Sequence, residues 1–210
     1  MINPVVILGA GNIGKLALEI FQSNSMVVYC LLDDDKALHN TTVNEVPVLG
    51  ATDDDNYIKL LGDKCDAFVA TDDTRLKKHQ VEMLRDRKSV MPVNCFHKTS
   101  YISPSAEVGH GNLFSASSVV NAEAKLGNHN ILHTGSVIDY NSEVGNYVQI
   151  GAGAIVNTGV TIGDEVFIGS GAIIVSGVKV GKKARIGAGS VVIEDVKDNT
   201  TVFGNPAKKV

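Results

Sequence analysis

The chain has 210 residues, is 44% apolar and carries a net charge of −4. That composition suffices for a buried core in one or two domains, and no apolar run is long enough to read as a membrane-spanning helix. Aromatics at 5% and the lack of a long basic run exclude a nucleic-acid surface, which needs clustered Lys and Arg to neutralise phosphates. The expected partners are small molecules.

The amino terminus, "MINPVVILGAGNIG", has neither a basic start nor a small-residue cleavage site, so it reads as a first strand, and the expected location is cytoplasmic. Its apolar run "VVILGAG" ends in glycines, and "NIGKLALEIFQS" spaces Ile13, Leu16, Leu18, Ile20 and Phe21 as a helix does. "MVVYCLLDDD" reads as a second buried strand and "DAFVATDD" as a later one, and the polar stretch "DTRLKKHQVEMLRDR" forms a helix leading to "SVMPVNC". Alternating strands and helices imply a small, Rossmann-like parallel α/β sheet over residues 1–98, the boundary falling between His97 and Ile102. Cys30, Cys65 and Cys95 lack metal-ligand spacing and read as reduced, mostly buried thiols. No His pair or Cys cluster suggests a metal site.

Gly9, Gly11 and Gly14 form G-x-G-x-x-G between a strand and a helix, and Asp33 closes the next strand about twenty residues later. Such a loop lets a phosphate approach backbone amides at a helix amino terminus and sets a carboxylate beside a ribose or sugar hydroxyl. The ligand is either a nicotinamide dinucleotide or a nucleotide-linked substrate. A dehydrogenase needs a second domain that faces a nicotinamide with an acid/base group, and the carboxy-terminal half of this chain is of another kind.

From Ile102 to Val192 an aliphatic or aromatic residue recurs at each sixth position without a slip, as at Leu132, Ile138, Val144, Ile150 and Val156. Two residues earlier stand only Ala, Ser, Asn or Val, as at Ser118, Ala124, Ser136, Ala154 and Ala172. Glycine often comes directly after the aliphatic residue, as at Gly109, Gly127, Gly145, Gly163 and Gly181, where a left-handed turn would tax a side chain most. Neither a helical nor a plain strand period gives this pattern; short strands joined by tight corners do, each coil burying its core against the next over residues 99–210.

These features together, with "GAGNIG", "LLDDD", "ATDDTRLK", "GSGAIIVSGVKVGKKARIGAGSVVIEDV" and the closing "GNPAK", resemble the bacterial sugar acyltransferases of the PglD/NeuD type over nearly the whole chain. The resemblance implies a left-handed parallel β-helix with three hexapeptides per coil, assembled as a homotrimer with acyl-CoA between neighbouring subunits. It also implies that the α/β domain holds a nucleotide-linked sugar, through Gly9, Gly11, Asn12, Ile13, Gly14, Asp33, Asp34 and Asp35, with Arg75 in the same pocket. Gly151, Gly169, Ser170, Gly171, Gly187 and Ala188 would line the pantetheine arm of acetyl-CoA or another acyl-CoA. Lys182, Lys183, Arg185 and Lys208 are candidates for its phosphates.

The sequence departs from the family where the chemistry lies. The family's histidine in a V-x-H-D-like stretch falls on Tyr140 in "VIDYN", a second falls on Gln149, and the histidine of the glycine loop falls on Ile13. A sugar hydroxyl needs a strong general base, whereas a neutral amine is already nucleophilic, so losing a histidine favours an amino sugar. His133, seven residues ahead of Tyr140, offers a substitute base, and Asp139 or Asn141 could orient its ring. His110 and His129 read as surface residues in polar turns. The expectation is a trimeric acyl-CoA-dependent N-acyltransferase of a nucleotide-linked amino sugar for surface-glycan synthesis. The alternatives are a sialic-acid-type O-acetyltransferase using His133 and a catalytically silent nucleotide-sugar-binding trimer.

Overall fold

The computed structural model describes residues 3–210; Met1 and Ile2, which begin the stretch read as leaderless, lie outside it. The chain forms two compact units that divide between Lys98 and Thr99.

The first unit is a five-stranded sheet of β1 (Val5–Leu8), β2 (Val28–Leu32), β3 (Thr42–Val43), β4 (Val46–Gly50) and β5 (Asp66–Val69). Its order is β3-β4-β2-β1-β5, parallel except for the antiparallel pair β3–β4. All four residues of β1 are buried, as a central strand with two covered faces requires. Helix α1 (Asn12–Ser23) comes after β1 and buries Ala17, Leu18, Ile20 and Phe21; the Phe21 ring meets Phe68 of β5 edge-on at 5.6 Å. A short α2 (Asp55–Ile58) precedes β5, and α3 (Thr74–Lys88) succeeds it. Asp73 caps α3 by accepting from the amides of Arg75 and Leu76, and the helix stops at Ser89, whose φ of 54° is left-handed. Cys30, Cys65 and Cys95 are free and buried, and burial pushes the Cys30 thiol up to about 12. The sheet differs from expectation in three ways: β3, β4 and α2 were not anticipated, β3 runs antiparallel, and "SVMPVNC" contributes only the start of a two-residue strand, Cys95–Phe96.

The second unit is a parallel β-helix with three faces. Each two-residue strand from Tyr101–Ile102 to Ile173–Ile174 pairs with the one eighteen residues on, as Val119–Val120 does with Val137–Ile138, and Arg185–Ile186 pairs with Thr201–Val202, sixteen residues on. The first face carries Tyr101–Ile102 and the strands ending at Val120, Ile138, Val156, Ile174 and Val192. The second carries those ending at Val108, Leu126, Val144, Ile162 and Val180, and the third those ending at Phe114, Leu132, Ile150, Ile168 and Ile186. The second residue of each strand points inward, and together these form one buried column. Each fully buried aliphatic contributes about 1.5–3 kcal/mol relative to exposure. The carboxy terminus adds an unanticipated antiparallel hairpin, Thr201–Gly204 with Ala207–Lys209.

The glycines after the inward residue have a different reason from the one expected. Gly127, Gly145, Gly163 and Gly169 lack the left-handed conformation; a Cβ at Gly163 would lie 2.8 Å from the amide nitrogen of Lys182 in the next coil, and one at Gly169 2.5 Å from that of Ala188. They are small because successive corners stack in contact. The left-handed residues come two positions later, at Gly111, Gly153, Gly171 and Gly189, and the same conformation falls on His129, Asn141, Tyr147 and Lys183. His129 also departs from its surface assignment: it is 4% exposed, with its ring 4.9 Å from that of His110 and 5.0 Å from that of Tyr147.

Candidate functional site

In the first unit, β1 has β2 on one side and β5 on the other, so the connections leave its carboxyl end in opposite directions. Open α/β sheets bind ligands at such a reversal. A pocket of about 230 Å³ lies there, lined by Gly9, Gly11, Asn12 and Ile13 after β1, Asp33 and Asp34 after β2, and Ala70, Thr71 and Asp72 after β5, with Thr52, Leu76 and Gln80.

The three loop glycines separate by cause. Gly9 has a φ of 114°, and a Cβ there would lie 2.5 Å from the carbonyl oxygen of Ala70. A Cβ on Gly14 would run into the carbonyl of Gly9, so Gly14 serves the packing of α1 under its own loop. Gly11 alone has nothing within 4 Å of a Cβ and no positive φ; neither packing nor backbone conformation requires glycine there. Gly11 is also the N-cap of α1, without a side-chain cap, so the first amides of the helix are left to the pocket.

The acidic strand end does two things. Asp33 accepts from the amides of Ala10 at 2.7 Å and Asp35 at 2.9 Å, tying the glycine loop to the end of β2. Asp34 accepts from both the amide and the hydroxyl of Thr52. A carboxylate has about four acceptor positions, so both retain capacity for a ligand hydroxyl or N–H. Asp35 instead caps the turn Lys36–Leu38 through the amide of Ala37, and neither it nor Arg75, exposed on α3, lines the pocket. Sequence reasoning missed Thr52, Thr71, Asp72, Leu76 and Gln80, which come from loops and one helix without a motif.

In the second unit the corners form rows, and two rows have a conspicuous member. The corner from the third face to the first begins with Ser115, His133, Gly151, Gly169 and Gly187; His133 is the only large side chain and is half-buried. In the corner from the first face to the second, the second residue is Ala122, Tyr140, Thr158 or Ser176, and Tyr140 is 49% exposed. His133 and Tyr140 therefore stand on opposite edges of the first face within one protomer. Asp139, next to Tyr140, spends its carboxylate on its own edge, accepting from Thr158 Oγ1 at 2.7 Å and Asn121 Nδ2 at 2.8 Å. The Thr158 hydroxyl and then the Asn121 amide hold it below the usual carboxylate range, against the effect of burial. Asp139 thus staples three coils and does not orient His133 of the same chain. Asn141 takes the left-handed position, its amide donating to the carbonyl of Ala122.

Gly151, Gly169 and Gly187 lie on the His133 edge, where Ser170 and Ala188 are the residues between them and the left-handed Gly171 and Gly189. The expected phosphate-binding cations stand elsewhere: Lys182 and Lys183 on the corner between the second and third faces, ion-paired with Asp164 at 3.4 Å and Glu165 at 3.9 Å. Arg185 lies over the Phe167 ring, 4.8 Å from its centroid, and Lys208 is 4.0 Å from Glu194 on the terminal hairpin. A donor molecule reaching both groups would have to pass from one edge to another.

The outward residues differ sharply between faces. On the second face they are Glu107, Lys125, Glu143, Thr161 and Lys179. On the first they are Tyr101, Val119, Val137, Ile155, Ile173 and Val191, an unbroken apolar stripe. Among the described residues, no group of three or more His, Cys, Asp or Glu side chains is placed to hold a metal, and no helix is long and apolar enough to cross a membrane.

Residues 4–84 match the PglD N-terminal domain, and residues 141–176 and 159–194 match the bacterial transferase hexapeptide repeats. Among solved structures, PerB from Caulobacter crescentus in complex with CoA and GDP-perosamine is 32% identical with a TM-score of 0.89, covering 100% of this chain and 98% of that one. A point mutant of perosamine N-acetyltransferase from the same organism, bound to the same two ligands, is 31% identical over the same shares, again with a TM-score of 0.89. The acetyltransferase domain of PglB from Neisseria gonorrhoeae, in complex with acetyl coenzyme A, is 29% identical with a TM-score of 0.91, covering 100% of both chains. No curated protein matches the sequence.

Proposed function

The chain belongs to the PglD-type sugar acetyltransferases of the hexapeptide-repeat class, and from that premise we propose that it moves the acetyl group of acetyl-CoA onto the amine of a nucleotide-linked amino sugar. The observation that carries this reading is a likeness over both units at once to a protein holding CoA and GDP-perosamine. In this reading the α/β pocket binds the nucleotide-linked sugar, with the diphosphate at the open side of Gly11 and hydroxyl or amino groups near Asp33 and Asp34.

The β-helix is left-handed in this reading and assembles as a homotrimer through the apolar stripe of its first face. A continuous apolar stripe of that length, with Tyr101 exposed and the rest half-buried, calls for a partner, and the charged second face does not compete for it. With three first faces turned toward a common axis, the His133 edge of one protomer meets the Tyr140 edge of the next. The site is then built from two chains, with the thioester lying along the edge of Gly151, Gly169 and Ser170.

The reaction is addition and elimination. The amine lone pair attacks the thioester carbonyl, His133 takes the proton released from nitrogen, the C–S bond breaks, and His133 passes that proton to the departing sulfur, so CoA leaves as its thiol and the base is restored. Tyr140 serves as a hydrogen-bond donor through its phenolic hydroxyl. A neutral amine tolerates this weaker machinery better than a hydroxyl would. The work is done in the cytoplasm, and the product feeds synthesis of a surface glycan.

The test is release of CoA, read with a thiol reagent, on incubating the full chain and acetyl-CoA with nucleotide-linked amino sugars and their hydroxyl counterparts. Release with an amino sugar alone is expected. Release only with the hydroxyl sugars makes the enzyme an O-acetyltransferase, and no release with any substrate that binds makes the protein a silent one.

A further inference from the structure

The α/β pocket contains a group that the acetyl-transfer reading leaves without a task. Gln80, in the second turn of α3, lines the pocket and is only 3% exposed, yet its Oε1 has no hydrogen-bond partner. A buried amide oxygen without a donor destabilises a fold, and native interiors rarely keep one without a reason. The pocket acceptors Asp33 and Asp34 each have donors from the protein, Asp33 from two backbone amides and Asp34 from Thr52, whereas Gln80 Oε1 has none. The lining includes side chains with donors, Asn12, Thr52 and Thr71, and none of them donates to Gln80 Oε1.

We propose that Gln80 is a specificity-determining residue of this pocket, its Oε1 accepting a hydrogen bond from an N–H or O–H group of the bound nucleotide-linked sugar. The inference rests on the reading of the pocket given above and adds to it the residue that selects the ligand. The terminal torsion of glutamine is soft, so the oxygen can turn toward a ligand without moving α3. Selectivity has the same physical origin: a ligand that presents an acceptor or a methyl group leaves the oxygen buried and unpaired, and a site built this way rejects the wrong analogue strongly.

The test compares the full chain with Gln80→Met, which keeps length and removes the acceptor, using Gln80→Leu as a second apolar variant. Thermal unfolding and titration calorimetry are run with UDP, GDP, dTDP and CMP, and with UDP-, GDP- and dTDP-linked amino sugars. The ligand-free variants are expected to melt about 2–4 °C higher, because an unsatisfied buried group is gone. Their dissociation constant for the ligand that protects the natural chain is expected to rise on the order of tenfold, with KM for acetyl-CoA unchanged. Weakening that is already present with the free nucleotide puts the donor on the nucleotide; weakening only with the sugar-linked form puts it on the sugar. Equal affinity of natural and substituted chains overturns the role of Gln80 and leaves the pocket assignment standing. A natural chain protected by none of these compounds overturns the pocket assignment itself, and the inference with it.

Discussion

The two units reveal function in opposite ways. In the β-helix every position has a counterpart eighteen residues away, so a side chain with a task stands out as the member that breaks its row, as His133 does among Ser115, Gly151, Gly169 and Gly187. The α/β unit has no such rows, and a task there shows as a feature that packing fails to explain: a glycine with open space where its Cβ would be, or a buried oxygen with no donor. Repetition makes exceptions visible, whereas an irregular loop must be accounted for atom by atom.

The strongest way to break this comparison is to remove the neighbouring subunit proposed for one unit alone. Ile155→Asp, on the outward stripe of the first face, should dissociate the proposed trimer and lower acetyl transfer more than about a hundredfold, because a charge in the proposed apolar interface would be unpaired and the site would lose the residues of the second chain. Nucleotide binding by the α/β pocket should survive. Sedimentation velocity and calorimetry check both halves, and a monodisperse trimer of unchanged activity would remove the stripe from the interface.

Next in size is the contrast between two glycines of one loop. Gly14→Ala sets a methyl group against the carbonyl of Gly9 and should destabilise the fold by about 3 kcal/mol or more. Gly11→Ala meets no atom within 4 Å, so stability should stay within about 0.5 kcal/mol while nucleotide affinity falls roughly tenfold. Denaturant midpoints and ligand titrations separate the two; equal stability loss at both positions would mean that Gly11 too is there for packing.

His133→Ala comes third. Transfer should fall at least about tenfold with CoA binding intact, which is the pattern of a group acting only as the nucleophile loses its proton. An unchanged rate would retire His133 as the base.

Much of the β-helix was legible because its period is a direct imprint of geometry: Leu132, Ile138, Val144, Ile150 and Val156 had to face one axis. The reason for the corner glycines was not, since two rows of glycine lie two residues apart and only coordinates distinguish a contact between coils from a left-handed turn. His129 looked like a turn residue and lies beneath its neighbours because the left-handed position there directs its ring along the corner stack. In the α/β unit the glycine loop and Asp33 carried a motif and were readable. Thr52 and Gln80 carried none; they reach the pocket through the sheet order and the placement of α3, which a linear pattern does not encode.

The smallest expected effect distinguishes the units by pH. In the α/β unit, Lys77 is 4% exposed, and burial pushes its amine down to about 8 from an ordinary value of 10.5, partly offset by Asp72. The folded state then releases a proton that the unfolded chain keeps. The resulting penalty is complete below about 8 and fades as pH rises toward 10.5, so this unit gains stability across that window. Asp139 in the β-helix acts at the other end. Its carboxyl is held low by Thr158 and Asn121, so its contribution is present above the unfolded value near 3.9 and is lost as pH falls through the folded one. Hydrogen exchange monitored against pH should show protection rising in alkali around α3 and falling in acid around coils 119–162. Lys77→Met should flatten the first response alone and Asp139→Asn the second alone; a single substitution that flattened both would mean that the two units open together, and the contrast between them would be one of sequence rather than of energy.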